Sequence, residues 1–158
     1  SIFNGLDKTQ IDKFLKLIKI DEISENEDII KEGEIGDSLI FLFDGTVSIT
    51  KALTLMTNKT AVDTREKEMT RLDSKLRPVF GEMSLFNDED KRTATITALT
   101  KCNIGILSSK NFFLICDNDT YVGNIVMKNI ASQMADNLRK TNQQVLKLTT
   151  AFSLILES

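Results

Sequence analysis

Near Thr120 the spacing of apolar residues along the chain changes abruptly. From that point they recur four and three positions apart in strict alternation, the heptad pattern of a helix that packs against another helix. The seam positions are Met127, Ala131, Met134, Leu138, Thr141, Val145, Leu148, Phe152 and Ile155, and all except Thr141 are apolar. Residues 120–158 are therefore predicted to form a long C-terminal helix that dimerises with a second copy.

Before Thr120 the apolar residues fall in short β-type runs separated by turn residues. A short amphipathic helix is predicted at Asp7–Ile18, with Asp7 as its N-cap, and another at Ser109–Ile115. The predicted strands include Asp28–Lys31, Ser38–Phe43, Thr46–Thr50, Lys67–Leu72, Ala94–Leu99 and Asn103–Leu107. This pattern predicts a mainly β fold over residues 1–119, an eight-stranded antiparallel jelly roll (double-stranded β-helix) with flanking helices.

Turn signals make the topology more specific. Asp44-Gly45 suits a type I′ turn, which predicts that Ser38–Phe43 and Thr46–Thr50 pair as an antiparallel hairpin. Residues Ala52–Lys75 are predicted to form a long hairpin excursion that contains the returning strand. The turn glycines are expected to have a conformational role and no ligand contact; they are Gly33, Gly36 and Gly45.

Charge and residue types exclude several function classes. The chain has 20 Lys and Arg against 23 Asp and Glu, a formal net charge of -3, which argues against non-specific binding to nucleic acid or anionic membranes. It contains no His, and this removes Ser-His-Asp and Cys-His nucleophile pairs as well as His-ligated metal sites. We therefore expect neither catalytic residues nor a metal.

The cysteines and the apolar runs favour a cytoplasmic location. Cys102 and Cys116 are embedded in apolar sequence and are predicted to be buried reduced thiols, not a disulfide. The longest uninterrupted apolar runs have five residues, which is too short for a membrane span or a signal-peptide core.

The residues best suited to bind a ligand lie between Gly81 and Ala94. Gly81 allows close approach of the backbone and is predicted to start a helical turn. Arg92 carries a planar fork of donors that matches a phosphodiester, Thr93 adds a hydroxyl, and Glu82 offers only acceptors, which suits a ribose hydroxyl. Taken alone, Glu82 and Arg92 would also fit a salt bridge on a turn.

The run Phe80–Phe86 followed by Lys91–Ala94, together with Gly33–Phe41 and the Asp44-Gly45 turn, resembles the phosphate-binding cassette of the cyclic-nucleotide-binding domain family. The resemblance extends from Leu6 to about Gln144. It implies a jelly-roll sensor for a purine cyclic mononucleotide. The implied ligand contacts are Gly81, Glu82, Met83, Ser84, Arg92, Thr93 and Ala94.

Two further residues enter through the long helix. Gln133–Asn142 is similar to the long helix of the catabolite activator branch of the family, in which a Thr and the next residue contact the purine across a dimer interface. The resemblance places Thr141 and Asn142 on those positions, and Asn142 departs from the usual Ser, which leaves the base preference open. From the residues alone, Thr141 is equally a polar residue that sets the register of a helix dimer.

The sequence thus predicts a regulatory sensor, not an enzyme, that binds cAMP or cGMP, with cAMP favoured, and signals through its C-terminal helix. The output partner would be another protein or a fused effector domain, and no nucleic acid or membrane is expected to bind this chain. One alternative is the ligand-binding half of a transcription regulator, because 17 residues after Thr141 leave no room for a DNA-binding domain. A ligand-free dimerisation module is the other, and the intact cassette disfavours it.

Overall fold

The structure is a computed structural model that describes residues 1–52, 66–86 and 91–156. Within these ranges eight strands form two four-stranded antiparallel sheets, with three α-helices around them. The helices are α1 (Lys8–Leu15), α2 (Ser109–Asn118) and α3 (Thr120–Leu156). The strands are β1 (Lys19–Ile23), β2 (Asp28–Ile30), β3 (Ser38–Asp44), β4 (Thr46–Ala52), β5 (Glu66–Asp73), β6 (Val79–Phe80), β7 (Thr95–Ala98) and β8 (Cys102–Ser108). The predicted two-sheet roll between a short and a long helix is confirmed.

The first sheet has the strand order β1-β8-β3-β6 and the second has the order β2-β7-β4-β5. One face of the first sheet packs on the helices, where Leu39 and Phe41 meet Phe14, Phe112 and Val126. Its other face packs on the second sheet. Strand β3 is therefore buried on both faces along most of its length, which explains its uninterrupted apolar run.

The predicted hairpin between β3 and β4 is wrong. Strand β3 pairs with β6 and β8 in the first sheet, whereas β4 pairs with β5 and β7 in the second. A type I′ turn needs positive φ at both central residues, but Asp44 remains in the strand and only Gly45 takes a φ of 99°. A Cβ at Gly45 would lie 2.6 Å from the Cys102 sulfur. The dipeptide is thus a tight corner between the two sheets.

Other element predictions hold with shifted ends. Asp7 caps α1 through a capping box with Gln10, but the helix ends at Leu15, short of the predicted Ile18. The returning strand of the predicted excursion is β5, and residues 53–65 of that excursion lie outside the described residues. Strands β1 and β6 have no counterpart among the individually predicted strands. Both cysteines are free and buried, as expected.

The long helix α3 begins at Thr120 as predicted and has two different halves. The first half is held in the core by Val122, Val126 and Ile130, and the Asn129 amide donates to the carbonyls of Ile2 and Asn4 at 2.9 and 2.7 Å. Along the second half the seam residues are exposed, for example Leu138 at 61% and Phe152 at 62%. The first half anchors the helix, and the second half extends past the roll.

Candidate functional site

A cavity of about 470 Å³ lies between the second sheet, the segment around Gly81 and the outer half of α3. Its volume falls within the range of small-molecule sites. Apolar side chains of the second sheet form one wall, among them Ile30, Ile49, Leu72 and Ile96. The cassette predicted from the sequence contributes Glu82, Ser84, Arg92 and Thr93 to the lining, and we call this part of the lining the polar wall.

Gly81 places the backbone close to this polar wall. It has a φ of 84°, in the left-handed region, and it is the N-cap of a short 3₁₀ helix, Glu82–Leu85. A Cβ at this position would overlap the Arg92 guanidinium and lie 2.6 Å from the Ser38 carbonyl oxygen. Gly81 therefore meets both a conformational and a steric requirement.

Arg92 is held by backbone pairing and by its own side chain. Its N–H donates to the Glu34 carbonyl at 2.8 Å, and its carbonyl accepts from the Gly33 N–H at 2.9 Å. The guanidinium donates through Nη2 to the Ser38 carbonyl at 2.9 Å and through Nη1 to the Ser84 hydroxyl at 3.4 Å. A guanidinium has five N–H donors, so this anchored side chain keeps donors for a ligand in the cavity.

Gly36 has a role that sequence reasoning missed. A Cβ here would overlap Nε and Cζ of the Arg92 side chain, while the φ of Gly36 is not in the left-handed region. The sequence predicted a turn glycine, but the structure shows that Gly36 is needed to make space for the arginine. No local signal in the sequence reveals this contact, because the two residues are far apart along the chain.

The electrostatics of the polar wall are set mainly by burial. Burial raises the pKa of the Glu82 carboxyl, although its own backbone N–H and the Arg92 charge oppose that shift. Burial also lowers the pKa of the Arg92 guanidinium, against the carboxylates of Asp37 and Glu82. No ion pair between described residues joins Glu82 to Arg92, so these two groups are not the simple turn salt bridge that the residues alone allowed.

The structure brings most of the predicted site residues together. Gly81, Glu82, Met83, Ser84, Arg92, Thr93 and Ala94 all line the cavity. Ser84 is buried, Met83 is 51% exposed, and the Thr93 hydroxyl lies 3.9 Å from the Met83 sulfur. Thr141 and Asn142 are not among the lining residues.

The lining residues of α3 come instead from a polar face beside the seam. They are Gln133, Asn137, Lys140 and Gln144. Their spacing of four, three and four is visible in the sequence, but the apolar seam beside it is the stronger signal. Thr141 lies about 40° from Asn137 around the helix axis, and its hydroxyl donates to the Asn137 carbonyl at 3.0 Å. Lys140 is exposed and makes no ion pair or hydrogen bond with the described part of the chain.

Residues 1–52, 66–86 and 91–156 lack two other kinds of feature. These ranges contain no group of three or more side chains arranged to hold a metal ion. They also contain no helix long and apolar enough to cross a membrane.

The chain is similar in sequence to known regulatory proteins. The chain is 29% identical over 138 residues to the cAMP-activated global transcriptional regulator Vfr of Pseudomonas aeruginosa, and 27% identical over 135 residues to the cAMP-activated global transcriptional regulator CRP of Pasteurella multocida. Each match covers 85% of this chain and 58% of the relative, so the chain spans little more than half of their length. These relatives are regulators by name, not enzymes.

Among solved structures, the catabolite activator protein of Thermus thermophilus superposes with a TM-score of 0.78 at 22% identity, over 94% of this chain and 62% of that one. This likeness concerns the fold. The family model for the cyclic nucleotide-binding domain matches residues 20–119, which include both sheets and the whole cassette. The chain therefore belongs to the cyclic nucleotide-binding domain family.

Proposed function

We propose that this chain is the cyclic-nucleotide-binding sensor of a regulatory protein, with cAMP as its ligand and cGMP as the alternative. The observation that supports this most directly is that the Arg92 guanidinium and the Glu82 carboxylate belong to the lining of a single cavity, with the backbone of Gly81 packed against the guanidinium. One cationic fork and one acceptor match the two ends of a cyclic ribose phosphate.

In this proposal, each wall of the cavity binds a different part of the ligand. Arg92 binds the cyclic phosphate, Thr93 offers a hydroxyl beside it, and Glu82 accepts from the ribose 2′-hydroxyl. Met83, Ser84 and Ala94 complete the cassette, where Ser84 supports the guanidinium. The apolar side chains of the second sheet cover the purine, which is consistent with the apolar lining that Ile30, Ile49, Leu72 and Ile96 give to the cavity.

The base meets α3. Within one chain the cavity is lined by Lys140 and three amide side chains of this helix, so these residues are the base contacts available to a single copy. Thr141 and Asn142, which the family resemblance assigned to the base, lie outside that lining. A base contact from either of them therefore involves the α3 of a second copy, or a rotation of α3 when the ligand binds.

The outer half of α3 supports a homodimer. Its seam residues Leu138, Val145, Leu148 and Phe152 are each more than half exposed in a single chain, and a second α3 in parallel would cover them. Because the ligand touches the polar face of this same half, occupancy biases how the two helices pack. The helix then carries the signal to a partner protein or a fused effector domain.

The names of the relatives favour one kind of regulatory protein. Both are cAMP-activated transcriptional regulators and are longer than this chain, so a ligand-binding half that controls a DNA-binding domain is the leading assignment for the whole protein. The two free, buried cysteines favour a reducing compartment such as the cytoplasm. A module that kept the fold and lost its ligand would have no use for the intact cassette.

Calorimetric titration with cAMP, cGMP and a cyclic dinucleotide tests the proposal. We expect one of the cyclic mononucleotides to bind and Arg92→Ala to weaken that binding by about 30-fold to several thousand-fold, since loss of a buried charged partner costs about 2–5 kcal/mol. Arg92→Lys should also bind poorly, because a point charge does not replace the fork. Wild-type affinity in Arg92→Ala would overturn the site, and binding of the dinucleotide alone would overturn the ligand class.

A further inference from the structure

A second cavity, of about 540 Å³, lies on the other side of the segment Pro78–Val79 from the nucleotide cavity. It is bounded by the N-terminal segment, α1, the end of β3 and residues 74–79. We call it the aromatic groove and define it by Phe3, Leu15, Phe41, Phe43 and Arg77. Nothing in the cyclic-nucleotide function uses it.

The floor of the aromatic groove is a ladder of three nearly parallel rings. Phe3 and Phe41 lie with their centroids 5.6 Å apart and 10° between their planes, and Phe41 and Phe43 lie 6.3 Å apart at 15°. The ladder is accessible at one end only, since Phe41 is 5% exposed whereas Phe43 is 44% exposed, and Leu15 in the same lining is 47% exposed. The open ring face of Phe43 suits an apolar or planar ligand.

Arg77 gives the aromatic groove its charge. Among the described residues that line the groove, Arg77 is the only one with a charged side chain. Its guanidinium has no hydrogen-bond or ion-pair partner in the described part of the chain. A free guanidinium beside an apolar floor is complementary to an anion that carries an apolar body.

The backbone of Arg77 supplies an independent observation. It adopts the left-handed conformation, with φ of 49° and ψ of 52°, where it ends a short 3₁₀ helix at Ser74–Leu76. A glycine takes this conformation without strain, whereas other residues lose about 1–3 kcal/mol in such regions. Strain of this kind concentrates at functional positions, and here it accompanies an unpartnered charge at the mouth of a cavity.

We propose that the aromatic groove binds a small amphiphilic organic anion, with its apolar body on the ring of Phe43 and the side chain of Leu15 and its carboxylate or sulfonate on Arg77. The site is separate from the cyclic-nucleotide cavity, although Pro78 and Val79 line both. The two ligands are therefore expected to bind at the same time.

Two dyes with the same ring skeleton test this proposal. Anilinonaphthalene sulfonate carries the anion, and phenylnaphthylamine lacks it. We expect the wild-type protein to bind one equivalent of the sulfonate dye in fluorescence titrations, with or without saturating cAMP. Arg77→Gly should weaken the sulfonate dye by about tenfold or more, the usual scale for a hydrogen bond to a charged group, and leave the uncharged dye unaffected. Phe43→Leu should weaken both dyes.

The choice of glycine keeps this test independent of folding. Because glycine relieves the left-handed backbone, the midpoint of thermal unfolding of Arg77→Gly should equal or exceed that of the wild type. Lys75→Ala removes the same charge two residues away, outside the lining, and should bind both dyes normally. Displacement of the sulfonate dye by cAMP would overturn the proposal. An unchanged affinity of the sulfonate dye for Arg77→Gly would also overturn it, because the dye would then bind other exposed apolar surface such as α3.

Discussion

At the scale of single residues, the candidate site depends on how much space Arg92 is given. Gly36 and Gly81 both lie against its guanidinium, and a Cβ at either position would overlap that side chain. The two glycines differ in their backbones, because Gly81 also needs a positive φ and Gly36 does not. A substitution of Gly36 can therefore displace the Arg92 side chain without forcing a strained backbone conformation at position 36.

Gly36→Ala should displace Arg92 and reduce cAMP affinity by about tenfold or more, a part of the full loss expected when the arginine is removed. Gly5→Ala is the matched control. Gly5 has a φ of 87° and lies outside the cavity lining, and a Cβ added there would meet only Ile125 Cγ2 at 3.8 Å, so alanine should lower the free energy of unfolding by about 1 kcal/mol and leave affinity unchanged. Calorimetry and thermal unfolding of both variants separate the two effects, and equal affinity losses would refute the steric role of Gly36.

Glu82 predicts a dependence of affinity on pH. Burial raises the pKa of this carboxyl above its ordinary value of 4.5. The ribose 2′-hydroxyl donates best to the ionised form, so bound ligand favours the carboxylate, and affinity should fall as pH is lowered through the raised pKa. The unliganded fold should show the opposite sign, because a raised carboxyl pKa makes the folded state less stable as pH rises from 4.5 through that value.

Titration of cAMP between about pH 4.5 and 8 checks the effect of Glu82 on affinity. Glu82→Gln cannot ionise and should bind more weakly at neutral pH with a flatter pH profile. The titration of the adenine ring is common to both proteins and cancels in the comparison. Identical pH profiles would show that Glu82 does not contact the ligand.

At the scale of elements, the strand pairing shows where sequence reasoning succeeds and fails. The apolar run of β3 identified a strand, but the Asp44-Gly45 signal gave the wrong partner because turn preference is local. Burial of Leu39 and Phe41 on one face and of Ile40 and Leu42 on the other places β3 inside a sheet, between β6 and β8. That long-range requirement prevails over the two-residue turn.

The candidate site also has one part that was predictable from the sequence and one part that was not. Its cassette was predictable because Gly81, Glu82, Arg92 and Thr93 are close together in the sequence and form a recognisable motif. The α3 wall was not, because which side of a helix faces the cavity depends on how the helix is anchored at Val122 and Val126. A shift of one residue, from Thr141 to Lys140, corresponds to about 100° around the helix.

This difference makes a prediction about the base. Lys140 can only donate, and guanine offers two acceptors, O6 and N7, where adenine offers N7 and an amino donor. Lys140→Met should therefore weaken cGMP more than cAMP. If Thr141 instead accepts from the adenine amino group, Thr141→Ala should weaken cAMP by about 1 kcal/mol and cGMP less. Calorimetry of both variants with both nucleotides shows which of the two residues contacts the base. Equal losses of affinity for both nucleotides in Thr141→Ala would mean that Thr141 acts only through the helix seam.

The outer half of α3 predicts a dimer that can be separated from the fold. Leu148→Glu places a charge in the seam and should give monomers at tens of micromolar in sedimentation velocity, with the roll still folded. Leu146→Glu is the control, because Leu146 is equally exposed, 67% against 69%, and lies about 160° from Leu148 around the helix. A wild-type monomer at this concentration, or dissociation of both variants alike, would contradict the seam.

At the scale of the whole molecule, α3 has a first half that is anchored in the core and an outer half whose seam residues are exposed. Its first turns are fastened by the core and by Asn129, which binds the N-terminal segment, and by Asp119, which caps α3 through the Val122 N–H and pairs with Lys13 at 2.6 Å. The outer half touches the roll mainly across the nucleotide cavity. Under the proposed function, a ligand there would make different contacts with different positions of this half, and such a difference would shift a conformational equilibrium.

The buried cysteines allow the proposed movement of α3 to be measured. Burial raises the pKa of Cys116 to about 11, so its reactive thiolate is scarce at about pH 8, and Cys102 is fully buried. Spin labels should therefore attach only at introduced sites, such as Lys101→Cys beside β8 and Lys147→Cys on α3, both outside the cavity. With labelled chains diluted in unlabelled protein, pulsed electron resonance reports the distance within one chain. We expect saturating cAMP to shift it by about 2 Å, the scale of helix shifts in switching proteins, and to leave it unchanged when Arg92→Ala is added. The same distance with and without cAMP in a protein that binds cAMP would mean that α3 does not move against the roll, and that any output signal takes another route.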